Sequence, residues 1–230
     1  MKLSIIIPVY NEKETISDVI NIINKLPLPS FSKEIIIVDD FSTDGTRDVL
    51  KKIKKKNIRV ILHKKNYGKG MALRTGFEHS TGDIILIQDA DMEYNPEEYP
   101  KLLAPIISGK DVVYGTRLSY IKNNVRDMYW THYIGNKILT LATNILYGSS
   151  ITDMETGYKV FRSSIIKKIK LRSRRFDFEP EVTAKILKNG YKIHEVPISF
   201  KARGFSEGKK ITWKDGIVAL ICLIKYRFVD

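Results

Sequence analysis

Five short, mostly apolar runs in the first half of the chain are typical of strands buried in a parallel sheet. They cover residues 3–9, 34–38, 59–62, 83–88 and 111–114. The segments between them are predicted helices, over residues 12–25, 44–56, 70–80 and 96–108. The first helix repeats its apolar residues with helical spacing, at Ile16, Val19, Ile20 and Ile23. This alternation predicts an α/β protein whose central sheet is mostly parallel and flanked by helices.

Longer helical patterns dominate the second half. Residues 126–147 predict a long helix with one apolar stripe, made of Trp130, Ile134, Ile138, Leu141 and Ile145. Residues 180–189 predict another helix, and residues 193–200 alternate like a strand. A final helix is predicted over residues 213–228, apolar nearly all round with basic residues at its ends. No repeat or linker interrupts the chain, so we expect a single domain over residues 1–230.

The charge of the chain favours an anionic partner. The 230 residues carry a formal net charge of +13, with 43% hydrophobic and 28% charged residues, which is a globular composition. Residues 151–230 hold 18 Lys and Arg against 9 Asp and Glu, so most of the excess lies there. Such a field attracts nucleic acid, anionic lipid or phosphorylated substrates, although solvated lysine-rich faces explain part of it equally well.

Neither a targeting segment nor a metal-binding cysteine cluster is expected. The first residues, MKLSIIIP, make a poor signal peptide, and no apolar run approaches the roughly 20 residues that span a bilayer. We therefore expect a protein that faces the cytoplasm without a spanning helix. The single cysteine, Cys222, excludes an internal disulfide and any cysteine-rich metal site.

Acidic residues follow three of the predicted strands, where ligands bind in open α/β sheets. The motifs are PVYNE at residues 8–12, VDDFSTDGT at residues 38–46 and QDADME at residues 88–93. Asp89 and Asp91 leave a buried strand together, and two such carboxylates suit Mg²⁺ or Mn²⁺ bound to a diphosphate. Glu93 is a candidate third ligand. An ordinary turn is the alternative for this Asp-x-Asp pair.

The other two motifs are candidates for holding a nucleotide. We expect Asp39 to bind the nucleobase or ribose, Tyr10 to stack on the base and Glu12 to reach the ribose. Core packing of Tyr10 and a place in the first turn of a helix for Glu12 remain open. A turn or helix cap is at least as well supported for three neighbouring side chains, Asp40, Ser42 and Asp44.

A glycine-containing segment, NYGKG at residues 66–70, precedes the third predicted helix. Helix N-termini favour anions, so Lys69 is a candidate contact to a phosphate or base. The spacing does not match a Walker A loop, and no Gly-x-Gly-x-x-Gly follows the first strand. The sequence therefore argues against a P-loop NTPase and against a dinucleotide-dependent oxidoreductase.

Taken together and in order, these motifs resemble family 2 glycosyltransferases of the GT-A fold. The downstream motifs resemble the branch of dolichol-phosphate mannose synthases and polyprenyl-phosphate glycosyltransferases, and the resemblance covers nearly the whole chain. The motifs that carry it lie at residues 8–12, 38–40, 66–70, 89–91, 115–117 (GTR), 153–159 (DMETGYK), 178–181 (FEPE) and 195–197 (EVP).

The resemblance implies an inverting transfer of mannose or glucose from a nucleotide-sugar, such as GDP-mannose or UDP-glucose, to dolichyl or polyprenyl phosphate. It implies a donor-binding half over residues 1–118 and an acceptor-binding half over residues 119–230. It places Mg²⁺ or Mn²⁺ at Asp89 and Asp91. The candidate third ligand, Glu93, stands where mannose synthases commonly have Gln, which weakens its assignment. It places the nucleotide near Pro8, Tyr10, Glu12 and Asp39, and we expect Lys69, Asp89 and Ala90 to contact the nucleotide as well.

An acceptor phosphate is already ionised near neutral pH, so the enzyme has to position it and screen its charge. Arg117 is the first candidate for this task, because a guanidinium can hold a phosphate with two hydrogen bonds. Arg203 and Lys209 are the next candidates. Residues 132–137 depart from the Arg and Ser spacing of many mannose synthases. Asp153 and Glu155 are candidates for holding the sugar or orienting the basic residues, with a structural cap role equally supported.

Other functions remain open at the level of the sequence. The final helix, with its basic ends, is predicted to lie at a membrane surface, and a core-packed helix is the alternative. The same fold could transfer sugar to a soluble glycan. A nucleotidyltransferase is disfavoured because the basic glycine-rich loop near the N-terminus is missing. A non-enzymatic module that binds polyanions or lipid is disfavoured by the three acidic strand ends.

Overall fold

The central sheet has seven strands in the part of the chain that the computed structural model describes, which is residues 1–118, 130–201 and 213–229. The strand order is β3-β2-β1-β4-β6-β5-β7. Strand β6 runs antiparallel to β4 and β5, and every other pairing is parallel. The strands are β1 (Lys2–Val9), β2 (Ser32–Asp39), β3 (Ile58–Leu62), β4 (Ile84–Ile87), β5 (Val112–Thr116), β6 (Lys159–Arg162) and β7 (Ile193–Pro197).

Helices connect and cover these strands. A 3₁₀ turn (Pro96–Glu98) leads directly into the fourth helix. The described helices are α1 (Ile16–Lys25), α2 (Thr46–Lys51), α3 (Lys69–His79), α4 (Tyr99–Ile107), α5 (Trp130–Tyr147), α6 (Ser163–Ile166), α7 (Phe178–Lys188) and α8 (Trp213–Phe228). The predicted class, an α/β protein with a mostly parallel sheet flanked by helices, is confirmed.

The continuous apolar runs exist because the central strands are buried on both faces. In β1, Ile5 and Ile7 join one apolar cluster with residues of α1 and α4, whereas Ile6 joins a second cluster with residues of α3 and α7. Alternate side chains of a strand point to opposite faces, so both sets must be apolar. A third cluster packs α5 and α8 against α7, through Leu139, Ala184, Ala219, Cys222, Leu223 and Tyr226.

Two predicted helices are shorter in the structure than their patterns indicated. Helix α1 begins only at Ile16, because the Glu12 carbonyl accepts hydrogen bonds from Thr15 and Ile16 in a turn that precedes it. Helix α2 ends at Lys51 and not at residue 56. The lysines of residues 51–56 would be neighbours at i,i+3 and i,i+4 in a longer helix, where like charges destabilise it.

The apolar stripe of the long helix α5 faces outward. Ile134, Ile138, Leu141 and Ile145 are 42–75% exposed, while Leu139 and Thr143 are buried beneath them. Helix α8 shows the same division. Its buried residues are Ala219, Cys222, Leu223 and Tyr226, and its 36–77% exposed residues are Ile217, Val218, Leu220, Ile221, Ile224 and Phe228. Among the residues that the structure describes, no helix combines the length and apolar character needed to cross a bilayer.

Helix α3 packs on β1 at a distance that only glycine permits. A Cβ added to Gly76 would lie 2.2 Å from the Ile6 side chain. Gly135 in α5 has no atom within 4 Å of the equivalent position. We expect Gly76→Ala to lower the free energy of unfolding by about 1–3 kcal/mol through overpacking. The matched change Gly135→Ala should leave it unchanged or raise it by up to about 1 kcal/mol. Urea denaturation measures both, and equal shifts would contradict this packing.

Candidate active site

Strands β2, β1 and β4 lie side by side and parallel, so the three acidic motifs that follow them meet at one edge of the sheet. The loops after β1 and β2 are bound to each other. The Asn11 amide donates to Ser42 Oγ over 2.9 Å, and the Thr43 amide donates to Asn11 Oδ1 over 2.8 Å. The Glu12 amide donates to Thr46 Oγ1 over 3.0 Å. These contacts give the edge a fixed backbone before any ligand binds.

Asp39, the last residue of β2, and Asp40, which follows it, have different environments. Asp40 accepts hydrogen bonds from the amides of Tyr67 and Gly68 at 2.9 and 2.6 Å and lies 2.8 Å from His63 Nδ1. It therefore anchors the 66–70 loop over a long range in sequence, a structural role different from the local turn or helix cap considered for it above. Asp39 is fully buried, and its Oδ1 finds no hydrogen-bond partner among the described residues.

The second oxygen of Asp39 is engaged. Its Oδ2 accepts from the Ser42 amide over 3.2 Å and lies 3.1 Å from Arg47 Nε, although that nitrogen does not reach hydrogen-bond geometry. A buried carboxylate oxygen without a donor is costly. Asp39 Oδ1 is thus a buried acceptor at the sheet edge, close to the loops that carry the other candidate nucleotide contacts.

The remaining nucleotide candidates lie on β1 and the loop after it. Pro8, within β1, and Tyr10, just past its end, are half-buried. Glu12 is buried, and its Oε2 accepts from Thr15 Oγ1 over 3.0 Å. The structure therefore gives Glu12 a place in the turn that starts α1, while its contact to a ribose stays a prediction. Ala90 is buried directly after β4.

The Asp89–Asp91 segment forms a tight turn that the Gln88 side chain stabilises. Gln88 Nε2 donates to the carbonyls of Asp89 and Tyr94, over 2.9 and 3.2 Å. Met92 has a φ of 61°, and Asp91 Oδ1 accepts from the Glu93 amide over 3.2 Å. Asp89, Asp91 and Glu93 do not form a preassembled three-ligand group, and the same holds for every other set of His, Cys, Asp and Glu in the described ranges. The described residues therefore form no closed metal cage, and joint binding of an ion by Asp89 and Asp91 stays a prediction.

Lys69 already holds one of these carboxylates. Its Nζ lies 2.9 Å from Asp89 Oδ1 and 3.0 Å from Glu179 Oε1. Burial lowers the pKa of Lys69, but the two carboxylates more than offset this and raise the pKa well above its ordinary value. The sequence analysis quoted Glu179 only within a family motif. Acidic residues in the first turn of a helix are common for electrostatic reasons, so no sequence signal singled it out.

The Nε and Nη2 groups of the Arg117 guanidinium face Asp153 and not solvent. Its Nε and Nη2 donate to the two oxygens of Asp153 over 2.7 Å each, and its amide donates to Asp153 Oδ2 over 3.0 Å. The expected bidentate grip on a phosphate is therefore used by a carboxylate in this structure. Burial raises the pKa of Asp153, but Arg117 outweighs it, and the pKa is lowered overall. Asn136, from the stretch that departs from the family pattern, adds a fourth hydrogen bond to the Asp153 carboxylate, over 2.8 Å.

Residues 152–158, which we name the strap, run from Arg117 to Asp89. The Glu195 carboxylate accepts from the amides of Thr152 and Asp153. At the other end, the Gly157 amide donates to Tyr94 Oη over 2.8 Å. A Cβ on Gly157 would lie 2.3 Å from Asp89 Oδ2, so the strap touches that carboxylate directly. The other acceptor candidates, Arg203 and Lys209, lie outside the described residues.

Glu155 sits in the middle of the strap with an unsatisfied oxygen. Its Oε1 is buried and finds no hydrogen-bond partner among the described residues. Burial raises the pKa of Glu155 to about 7, Glu179 and Asp153 add to the increase, and Lys159 and Arg117 oppose it. Lys159 is itself fully buried, and burial lowers its pKa to about 8. The site thus contains a carboxyl group and an amine that both titrate near neutral pH.

The raised pKa of Glu155 predicts a pH-dependent stability. Its ordinary pKa is 4.5, so the stability that the protonated group contributes is present below that pH and lost as the pH rises through about 7. Glu155→Gln cannot ionise. We expect this variant to exceed the wild type in free energy of unfolding by on the order of 1–2 kcal/mol at pH 8, and to match it near pH 5.

Urea denaturation at the two pH values measures this difference. Glu14→Gln serves as the control, because Glu14 is exposed. The difference in free energy of unfolding between this variant and the wild type should be the same at pH 5 and pH 8. If Glu155→Gln and the wild type differ in free energy of unfolding by the same amount at both pH values, Glu155 is not a buried carboxyl group with a raised pKa.

Comparison with known proteins gives the family. Residues 4–170 match the family model of Glycosyl transferase family 2. The chain is 31% identical over 218 residues to a dolichol-phosphate mannosyltransferase of Pyrococcus furiosus, covering 91% of this chain and 59% of the relative. It is 32% identical over 213 residues to an undecaprenyl-phosphate 4-deoxy-4-formamido-L-arabinose transferase of Salmonella choleraesuis, covering 90% and 62%. The chain thus spans about three-fifths of the length of these relatives.

Solved structures share the fold. Glucosyl-3-phosphoglycerate synthase from Mycobacterium tuberculosis, in complex with UDP, superposes with a TM-score of 0.78 at 18% identity, covering 100% of this chain and 81% of that chain. The same enzyme with Mn²⁺, UDP and phosphoglyceric acid gives 0.77 at 17% identity, covering 100% and 79%. This likeness confirms the predicted GT-A fold. Since the family model spans most of the chain, this protein belongs to glycosyl transferase family 2.

Proposed function

We propose that this protein transfers a hexose, mannose or glucose, from a nucleotide-sugar to a polyprenyl or dolichyl phosphate, with inversion at the anomeric carbon. The observation that carries the proposal is the strap, which joins the Asp89 carboxylate to the Arg117–Asp153 pair. An acidic donor side and a cationic acceptor side are what a transfer between two phosphate-bearing substrates requires. The names of the two curated relatives, which contain dolichol-phosphate and undecaprenyl-phosphate, support the acceptor class.

On the donor side, Asp39 supports a nucleobase contact. Its buried Oδ1 needs an N–H donor, and each base that we consider, uracil in UDP-glucose and guanine in GDP-mannose, has one on its pairing edge. Pro8, Tyr10 and Glu12 lie on or just after β1, the strand beside Asp39. The division into a donor half over residues 1–118 and an acceptor half over residues 119–230 stays part of this proposal.

The donor set at the end of β4 fits a hard divalent ion, Mg²⁺ or Mn²⁺. Asp89 and Asp91 supply carboxylate oxygens, and Asp89 is already compensated by the Lys69 ammonium, which stands where a cation is favoured. When bound, the ion screens the charge of the departing nucleoside diphosphate. Two solved structures of glucosyl-3-phosphoglycerate synthase, which shares the fold, hold UDP with Mn²⁺ or with Mg²⁺. The role of Glu93 as a third ligand remains a prediction, because the three side chains are not preassembled.

On the acceptor side, the phosphate oxygen attacks without a strong general base, so Arg117 and its neighbours have to position it. Asp153 takes the Nε and Nη2 bonds of Arg117, and a guanidinium has further N–H groups for an acceptor oxygen. The buried pair therefore fixes the plane of the guanidinium before the acceptor arrives. Arg203 and Lys209 remain predicted contacts to the same phosphate.

A lipid acceptor requires the protein to reach a membrane surface. Helices α5 and α8 pack against each other, and both turn apolar side chains outward. Exposed Lys137, Lys225 and Arg227 accompany these apolar faces. An apolar face bordered by basic residues is typical of helices that lie in an anionic headgroup region. We therefore infer peripheral binding, with the cytoplasmic face of the cell membrane as the expected side.

Two variants should distinguish the role of Asp39 in donor binding from the role of Asp91 in metal binding. With Mn²⁺ or Mg²⁺, a short polyprenyl phosphate and a panel of UDP- and GDP-sugars, we expect transfer from at least one donor. Asp91→Asn should lower kcat by on the order of 100-fold, because charge on the leaving group is no longer screened. Asp39→Ala should raise the donor KM by about tenfold or more, with a smaller effect on kcat.

Steady-state kinetics on radiolabelled donors measures these parameters. Asp48→Asn is the control, because that carboxylate on α2 is 76% exposed and should leave both parameters unchanged. Absence of transfer from every donor would contradict the proposed activity. Transfer only to soluble glycans or small phosphorylated acceptors would contradict the lipid acceptor and leave the transferase activity in place.

Membrane binding is tested by placing a negative charge on the outward apolar faces of α5 and α8. Ile138→Glu and Ile221→Glu should each weaken binding to anionic phospholipid vesicles by at least about tenfold, because an apolar side chain is exchanged for a charge that anionic lipid repels. Ile107→Glu on α4 is the matched control, since Ile107 is 54% exposed and the two test positions are 57% and 59% exposed. Co-sedimentation measures all three. Equal binding by all variants would rule out these faces as the contact.

A further inference from the structure

Lys69 is held rigidly between two acidic side chains. It is the first residue of α3, and its Nζ bridges Asp89 Oδ1 at 2.9 Å and Glu179 Oε1 at 3.0 Å. The side chains of Asp89 and Glu179 are only 15% and 7% exposed. The backbone around Lys69 is fixed too, because the Gly68 amide donates to Asp40 and the Gly70 amide donates to the Arg175 carbonyl. This lysine therefore occupies a built position and is not a mobile surface cation.

This contact has a consequence for metal binding. The oxygen that Lys69 holds belongs to Asp89, one of the two carboxylates assigned to the divalent ion. An ion that binds Asp89 meets a positive charge at close range in a partly buried place, where charges are weakly screened. The ammonium has an alternative partner in Glu179, which does not belong to the metal ligands assigned above. A diphosphate entering the site offers it further anionic oxygens.

We propose that Lys69 is a built-in counter-ion of the metal site, which neutralises Asp89 until a nucleoside diphosphate draws it away. Glu179 is then a positioning residue, because it retains the ammonium when Asp89 turns to the ion. The inference rests on the proposed function. It means that the ion binds weakly to the nucleotide-free protein, and that nucleotide and ion strengthen each other's binding by the same factor.

The sign of one substitution distinguishes this role from the alternatives. If Lys69 only contacts the donor, or only ties α3 to α7, its loss leaves the affinity of the empty protein for Mn²⁺ unchanged or lowers it. If Lys69 competes with the ion for Asp89, loss of the lysine leaves the Asp89 and Glu179 carboxylates without their shared cation. The affinity of the nucleotide-free protein for Mn²⁺ then rises. Most changes at a metal site weaken metal binding, so an increase is a specific outcome.

The experiment measures Mn²⁺ binding by electron paramagnetic resonance of the free ion, without nucleotide and with UDP or GDP. We expect Lys69→Met to bind Mn²⁺ at least tenfold more tightly than the wild type in the absence of nucleotide. Lys69→Arg, which keeps the charge, should resemble the wild type, and Glu179→Gln should bind Mn²⁺ more weakly. The factor by which nucleotide tightens Mn²⁺ binding should be smaller in Lys69→Met.

Arg74→Met is the control for a general loss of positive charge, because Arg74 lies on the same helix and donates to the Arg172 carbonyl. It should leave Mn²⁺ binding unchanged. Circular dichroism checks each fold, and Lys69→Gln replaces Lys69→Met if the latter does not fold. Unchanged or weaker Mn²⁺ binding by the neutral variant would overturn this inference alone. A wild-type protein that binds no Mn²⁺ with either nucleotide would contradict the proposed function itself.

Discussion

Carboxylates buried at one sheet edge each need a positive or hydrogen-bonding partner, and this requirement organises the whole site. Asp40 is satisfied by the amides of the 66–70 loop and thereby fixes the start of α3. Asp153 is satisfied by Arg117, which orders the strap, and Asp89 is satisfied by Lys69. Among the described residues of this edge, two buried carboxylate oxygens have no hydrogen-bond partner, Asp39 Oδ1 after β2 and Glu155 Oε1 in the strap, and the neighbouring Thr156 hydroxyl has none either.

Backbone contacts transmit this order between the halves of the sheet. Strand β4 continues into the Asp89 turn, while its antiparallel neighbour β6 follows directly from the strap. Gln88 joins them, because its Oε1 accepts from the hydroxyls of Tyr99 and Tyr158 over 2.8 and 2.7 Å. Gly157 then brings the strap against Asp89 without a side chain between them. The strap therefore contacts both Arg117, which we propose for the acceptor phosphate, and Asp89, which we propose for the donor side.

The sequence predicted what depends on periodicity and missed what depends on tertiary contact. Apolar runs located every strand of the parallel half, and strand ends located Asp39 and Asp89, because sheet topology brings such ends to one edge. Strand β6 was not predicted, because it has only four residues and begins with a lysine, Lys159, which is buried in the structure. Asp153 was a candidate for orienting a basic residue, but no local pattern indicated that its partner would be Arg117, 36 residues away, or that Glu179 would share Lys69. Such pairs follow from how loops pack, which single-sequence patterns do not contain.

Helix α5 connects the proposed membrane face with the acceptor side. Its inner face binds the strap, because Asn136 donates to Asp153 and Thr140 Oγ1 accepts from the Met154 amide over 3.2 Å. Its outer face is the exposed apolar stripe that includes Ile138. The two faces are separated by one helix diameter, about 10 Å. A lipid phosphate stays near the headgroup level while its chain remains in the bilayer, so the cation that receives it has to lie close to the membrane surface. With Asn136 and Thr140 bound to the strap on its inner face and the apolar stripe on its outer face, α5 meets that requirement of the proposed lipid acceptor.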